Sequence, residues 1–212
     1  MTEQNNPKTK TVHLMINDQP VEALEGWTVL ETARQHGIHI PTLCYHESVE
    51  ASGGCRLCVV ELREGEWSKV VISCMYPVQE GITVYTESDR INNVRRWVLE
   101  MLLAECPASQ EIRKLAAQYG VTGTRFPITN PDEQCMLCGL CVRVCREVVG
   151  VSAIATIGRG VHKIVGAPYE KPSEVCVACG SCVTVCPTGA MRARLDRVRG
   201  SGHQSPHSSQ KV

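Results

Sequence analysis

Apolar residues recur with two periods along this chain. Val12, Leu14 and Ile16 alternate with polar neighbours over residues 11–17, the pattern of a half-buried strand. Asn17-Asp18-Gln19-Pro20 predicts a turn, and Val21–Ala23 a returning partner. Thr28-x-x-Glu31 then forms a capping box, and Val29, Leu30 and Ala33 share one helical face before Gly37, a predicted C′ stop. Further strands are predicted at Cys58–Leu62, Lys69–Cys74 and Ile82–Tyr85.

Strands packed on a single helix predict an α+β, β-grasp-like domain over residues 11–87. The period changes after it. Ile91, Val94, Val98, Met101 and Leu102 recur at helical spacing over 90–105. Pro107 ends that helix and is expected at N1 of the next. In the second helix Ile112, Leu115, Ala116 and Tyr119 share a face, closed by Gly120. This pair forms a helical linker, residues 88–125, whose apolar faces are expected to be internal. VSAIATIGRGVHKIV predicts an inserted hairpin, with strands around 151–157 and 161–165 across Gly158-Arg159-Gly160. That G-x-G is read as a turn, since it lacks the third glycine and the strand–turn–helix context of a nucleotide loop. Residues 1–10 are expected to be flexible, 126–199 to form a second folded domain, and 200–212 a disordered tail.

Composition sharpens this picture. Lys+Arg and Asp+Glu both number 22 of 212 residues, so no basic excess points to nucleic acid and no acidic excess to disorder. The longest nearly apolar stretch, around Trp97–Ala104, falls far short of the roughly 20 residues needed to cross a bilayer. The polar start MTEQNNPKTK has no apolar signal-peptide core, so a cytoplasmic setting is expected. There are 13 cysteines, an odd number with no sign of export, which favours metal or redox chemistry over a disulfide scaffold.

Their spacing is specific. Cys135-x2-Cys138-x2-Cys141-x3-Cys145 and Cys176-x2-Cys179-x2-Cys182-x3-Cys186-Pro187 are two runs of the kind that hold paired [4Fe–4S] clusters in bacterial-type ferredoxins. In such modules the fourth Cys of each run ligates the other cluster. One cluster is therefore expected on Cys135, Cys138, Cys141 and Cys186, the other on Cys145, Cys176, Cys179 and Cys182. The fourth Cys is expected at the start of a helix. Gly139 and Gly180, each after a second Cys, are expected to let the backbone approach the cluster. Structural zinc fits two identical four-Cys runs poorly.

Cys44-x10-Cys55-x2-Cys58-x15-Cys74 is less specific. Four thiolates suit a [2Fe–2S] cluster, two per iron, and zinc competes on spacing alone. The neighbouring cubane runs favour iron. Gly53-Gly54 predicts a tight loop bringing amides near sulfur. His36, His39 and His46 surround Cys44 but are expected to lie outside the ligand set, and His203 and His207 fall in the tail. Arg56, Arg143 and Arg146 are candidate tuners of cluster potential. Arg192, Arg194, Arg197 and Arg199 read as a solvated surface, with a dock for an acidic partner as the alternative.

These residues carry a family resemblance over roughly residues 10–190. VLETARQHGIHIPTLCYH, SGGCRLCVVEL and SCMYPVQEGITV are similar to the N-terminal domain of the large iron–sulfur subunit of respiratory complex I. They equally resemble the diaphorase iron–sulfur subunit of NAD-linked bidirectional hydrogenases and the front end of some formate dehydrogenases and [FeFe]-hydrogenases. In that family the cysteines matching Cys44, Cys55, Cys58 and Cys74 hold a [2Fe–2S] cluster. CMLCGLCVRVC to CGSCVTVCP resembles the two-cubane module. Many members insert another [4Fe–4S] site with one His and three Cys. Here LLAECPASQEIRKLAAQYGV offers only Cys106, which is expected to be a small buried residue.

The resemblance implies a non-catalytic electron-transfer subunit with one [2Fe–2S] and two [4Fe–4S] clusters. It would relay single electrons between a flavin-containing NAD(P)H-binding subunit and a hydrogenase or formate dehydrogenase type catalytic subunit. A free ferredoxin-like shuttle is the alternative. No Rossmann fingerprint or P-loop is present, and no membrane insertion or nucleic-acid binding is expected. With about −2 per four-thiolate site, the loaded protein would carry roughly −6.

Overall fold

In a computed structural model, the described residues are 10–167, 173–192 and 194. The expected flexible start, apart from Lys10, and the expected tail lie outside them. β1 (Thr11–Ile16) and β2 (Gln19–Leu24) pair antiparallel, with Ile16 opposite Gln19. The turn is shorter than the sequence predicts. Asn17 and Asp18 take φ of 50° and 62°, as a two-residue hairpin turn requires, so Gln19 and Pro20 already belong to β2. Pro20 is tolerated because β2 is an edge strand.

α1 (Val29–Gln35) starts on the predicted box: Thr28 Oγ1 accepts from the Glu31 amide at 3.3 Å, and Glu31 Oε2 accepts from the Thr28 amide at 2.7 Å. Gly37 follows at φ 71°, the left-handed C′ position. The sheet has the order β2-β1-β5-β3-β4, with β3 (Val59–Glu64), β4 (Trp67–Ile72) and β5 (Thr83–Tyr85). β5 runs parallel to β1 and antiparallel to β3. Val12, Leu14, Ile16, Val60, Leu62 and Val84 meet Val29, Leu30 and Ala33 of α1 in one buried core. Burial of these side chains is worth about 1.5–3 kcal/mol each.

The cysteines expected at the ends of two strands lie just beyond them. β3 and β4 end at the pair Val59–Ile72, and the Ser73 amide donates to the Cys58 carbonyl at 3.0 Å. The same end of the hairpin therefore delivers both Cys58 and Cys74.

α2 (Asp89–Glu105) and α3 (Gln110–Gln118) are capped by Ser88 and Ser109. Pro107 is thus not at N1. It precedes the Ser109 cap by two residues, because a serine hydroxyl can satisfy the first amides of the helix and proline cannot. Val98, Leu99, Leu103, Ile112 and Ala116 pack with Leu57, Cys44 and Cys55. The apolar faces of the helical pair are largely internal, but Met101, expected on that face, is exposed, and Leu99 and Leu103 are buried instead.

α4 (Leu140–Glu147) and α5 (Ser181–Thr184) follow Gly139 and Gly180, whose φ values of 74° and 77° are left-handed. No protein atom lies within 4 Å of a Cβ built on either glycine, so backbone conformation by itself calls for glycine there. Between them β6 (Ala155–Ile157) and β7 (Ile164–Gly166) pair antiparallel. The strands are shorter than the sequence predicts, and a 3₁₀ turn over Gly160–His162 joins them. Residues 151–154 do not form a strand because their amides serve Cys145. The Val151 and Ser152 amides donate to its carbonyl at 3.2 and 3.3 Å, and the Ala153 amide to its Sγ at 3.2 Å.

Candidate iron–sulfur centres

Cys44, Cys55, Cys58 and Cys74 are all buried. The Cys55 amide donates to Cys44 Sγ at 3.2 Å. Iron-free, the four thiols associate two by two. The Cys55 thiol lowers the Cys44 pKa to about 5 and is itself pushed up; the Cys74 thiol lowers Cys58 to about 7 and is likewise raised. A buried array of sulfurs this close cannot hold four uncompensated negative charges, and iron supplies the compensation. The loop before Cys58 is strained to make this fit. Gly53 has φ 60°, and a Cβ there would meet Met75 Sδ at 2.6 Å. Arg56, a non-glycine, also sits at φ 60°. Such positions cost on the order of 1–3 kcal/mol and persist where the surroundings over-determine them.

Cys135, Cys138 and Cys141 come from the loop into α4 and its first turn. Burial raises Cys138 to about 11 and Cys141 to about 12, and in each case the thiolates of Cys186 and Cys135 add to the effect. Cys186 follows α5, so the second run reaches into the first. A cavity of about 600 Å³ is walled by Cys145, Cys176, Cys179 and Cys182, the set drawn crosswise from both runs. Its walls include Val151 and Ala153, whose amides fix Cys145.

Cys145 lies in the last turns of α4, not at a helix start as expected. Gly139 begins the helix just before Cys141, so the x3 spacing puts Cys145 one turn further along. Leu137 and Ala178, each just before the second Cys of its run, take φ of 54° and 53°. The two loops therefore repeat the same strained shape. Among the described residues, no three His, Cys, Asp or Glu side chains close upon a single metal ion; the thiols of the third set ring a void instead. Buried sulfurs, amides aimed at Sγ and left-handed loops suit the thiolate-held clusters expected.

The three sets are contiguous. Cys138 packs against the buried cluster that holds Cys44 and Cys55, and α4 carries both Cys141 and Cys145. The sets differ in exposure: the first is buried, whereas Cys176 and Cys179 are exposed. Val175 and Val177 beside them are 55% and 62% exposed.

Other expected residues have settled roles. Cys106 is fully buried at the end of α2 and donates to the Leu102 carbonyl at 3.1 Å; burial pushes it up to about 12. His36 Nε2 hydrogen-bonds the Glu22 carbonyl, His46 Nδ1 accepts from the Ser48 amide, and His39 is exposed. Arg56 is exposed, and Arg146 pairs with Glu147 at 2.6 Å. The basic stripe is not a uniformly solvated face. Arg194 is half-buried, bonding the Val165 carbonyl and lying 3.7 Å from Glu133. Arg192 is exposed at the third site's cavity. Arg197, Arg199, His203 and His207 lie outside the described residues.

One residue escapes the sequence reading. Arg95 is fully buried on α2, donating to the carbonyls of Leu57 at 3.2 Å and Val59 at 2.9 Å, on either side of Cys58. Its position between Ile91 and Val98–Leu99, on the apolar stripe, was the available signal: a cation there must be paired.

The first module matches the model of a 2Fe-2S iron-sulfur cluster binding domain over residues 9–89, and the second that of a 4Fe-4S dicluster domain over residues 134–190. Together they define a protein built from a 2Fe-2S cluster binding domain and a 4Fe-4S dicluster domain. Relatives include the 75 kDa subunit of NADH-ubiquinone oxidoreductase from Reclinomonas americana, 31% identical over 172 residues, which cover 70% of this chain and 25% of that protein. An NADH-quinone oxidoreductase subunit of Rickettsia prowazekii is 29% identical over 183 residues, 76% of this chain and 27% of that one. The chain thus spans about a quarter of the length of these curated relatives. A chain in the crystal structure of an NAD+-reducing [NiFe]-hydrogenase, in the H2-reduced state, superposes with a TM-score of 0.73 at 30% identity, over 84% of this chain and 86% of that one. The protein belongs to the iron–sulfur subunit family shared by these NADH-quinone oxidoreductases and NAD+-reducing hydrogenases. No helix among the described residues is long and apolar enough to cross a membrane.

Proposed function

We propose that this chain is the electron-relay subunit of a multi-subunit NAD(P)H-linked oxidoreductase, placed between a flavoprotein and a hydrogenase or formate dehydrogenase type subunit. The observation that carries the reading is the crosswise cavity. Cys145 of one run joins Cys176, Cys179 and Cys182 of the other around a single void. Thiolate-held clusters would supply one-electron transfer at these positions.

In this reading Cys44, Cys55, Cys58 and Cys74 hold a [2Fe–2S] cluster in a β-grasp domain, residues 11–87. Cys135, Cys138, Cys141 and Cys186 hold one [4Fe–4S] cluster, and Cys145, Cys176, Cys179 and Cys182 the second. These lie in a domain over 126–199 with an inserted hairpin, reached through the helical linker 88–125. The β sheet, α1 and α2 exclude water from the first set. The exposed thiols and valines of the third set leave that end open to a partner.

Iron and sulfide analysis with EPR tests the cofactor reading: about ten irons are expected, as 2+4+4. About fourteen would mean a fourth cluster, and fewer than about eight would refute the assignment. Gel filtration of the natively purified protein tests the assembly. Co-elution with a flavoprotein is expected, while elution at the monomer mass of 23.3 kDa would favour the free shuttle.

A further inference from the structure

Arg143 lies on α4, between Cys141 and Cys145, yet its side chain leaves the cubane module. Nη2 donates to the carbonyl of Cys44 at 2.8 Å, and Nη1 to the carbonyl of Glu50. Both acceptors belong to the first module, more than 90 residues away in sequence. One planar guanidinium thus closes the loop 44–50 by gripping both its ends, a fork that a lysine ammonium cannot reproduce. The grip has two supports. Glu147, one turn along α4, accepts from the Glu50 amide at 2.9 Å, so the helix takes both the N–H and the C=O of Glu50. Val49 is buried against Leu140 and Val144.

We infer that Arg143 is a positioning residue that sets the separation of the [2Fe–2S] and first [4Fe–4S] sites. The inference rests on the proposed ligand sets. Cys44 is a ligand of the first site, Cys141 of the second and Cys145 of the third, so α4 carries two of them and Arg143 ties that helix to the backbone of the first. Without the fork, α4 holds loop 44–50, among the described residues, only through the Glu147 contact and the small Val49 cluster. The cationic fork against the Cys44 carbonyl also favours the more negative, reduced state of the first site.

The test uses the full-length, iron-loaded protein. In fully reduced wild type, spin–spin interaction should split or broaden the [2Fe–2S] EPR signal, because Cys138 packs against the buried cluster that holds Cys44 and Cys55. Arg143→Ala should lose that splitting and lower the [2Fe–2S] midpoint, with iron content retained. Arg143→Lys, which keeps the charge without the fork, should restore the midpoint more than the splitting. Arg96→Ala, on the exposed face of α2, should change neither. Should Arg143→Ala fail to hold iron, Arg143→Lys decides alone: a splitting equal to wild type overturns the inference. Unchanged splitting in Arg143→Ala overturns it as well. A wild type with no [2Fe–2S] signal would instead sink the ligand assignment beneath it.

Discussion

Replacing Arg95 with methionine should loosen the [2Fe–2S] module from inside. The guanidinium is fully buried and donates to the carbonyls of Leu57 and Val59, to Glu87 at 2.8 Å, and lies 5.8 Å from the Tyr119 ring. Each charged hydrogen bond to a buried carbonyl is worth about 1.5–3 kcal/mol, so the two together supply about 3–6. Glu87 adds little, because its side chain is 60% exposed and screened by water. Against this stands the desolvation of the guanidinium, which methionine relieves while filling much of the same volume. The net loss should be about 2–4 kcal/mol, or roughly 10 °C in melting temperature at the usual sensitivity of a chain this size. The carbonyls freed flank Cys58, so the loss should appear first in the visible circular dichroism of the [2Fe–2S] cluster and later in cubane absorbance. Arg96→Met on the exposed face of the same helix should stay within about 0.5 kcal/mol of wild type. A shift below about 2 °C for Arg95→Met, or equal shifts for the two variants, would refute the reasoning.

Two further outcomes follow from the loops. Ala178→Gly should stabilise the cubane module by about 1 kcal/mol and so raise its thermal midpoint, since φ 53° strains alanine and suits glycine; a lowered midpoint would remove the strain argument. Burial holds Cys138 and Cys141 as thiols at neutral pH, with pKa values raised to about 11 and about 12. A raised pKa stabilises the iron-free fold below the ordinary thiol range and loses that contribution as pH climbs towards 11–12. Anaerobic iron reconstitution needs the thiolates, so it should quicken from pH 7 to 9; a rate independent of pH would contradict this.

What could be read from the chain alone was whatever local rules govern. Alternation marked β1, the capping box marked α1 and helical spacing marked α2, because each depends on neighbours within a few residues. The cysteine runs were legible for the same reason: a cubane imposes a short, repeated spacing. Errors fell where a competing group claims backbone amides. The predicted strand at 151 failed because those amides turn to Cys145, and Pro107 lost the helix start to the cap on Ser109. Tertiary structure alone decided the rest. Arg95 looks like any helix cation until its stripe is seen to face the Cys58 loop. Arg143 looks like a surface residue until α4 meets Glu50. It also decided that the third site is exposed and the first buried. Spacing specifies which atoms can bind a cluster, but only packing specifies which sides of it meet water.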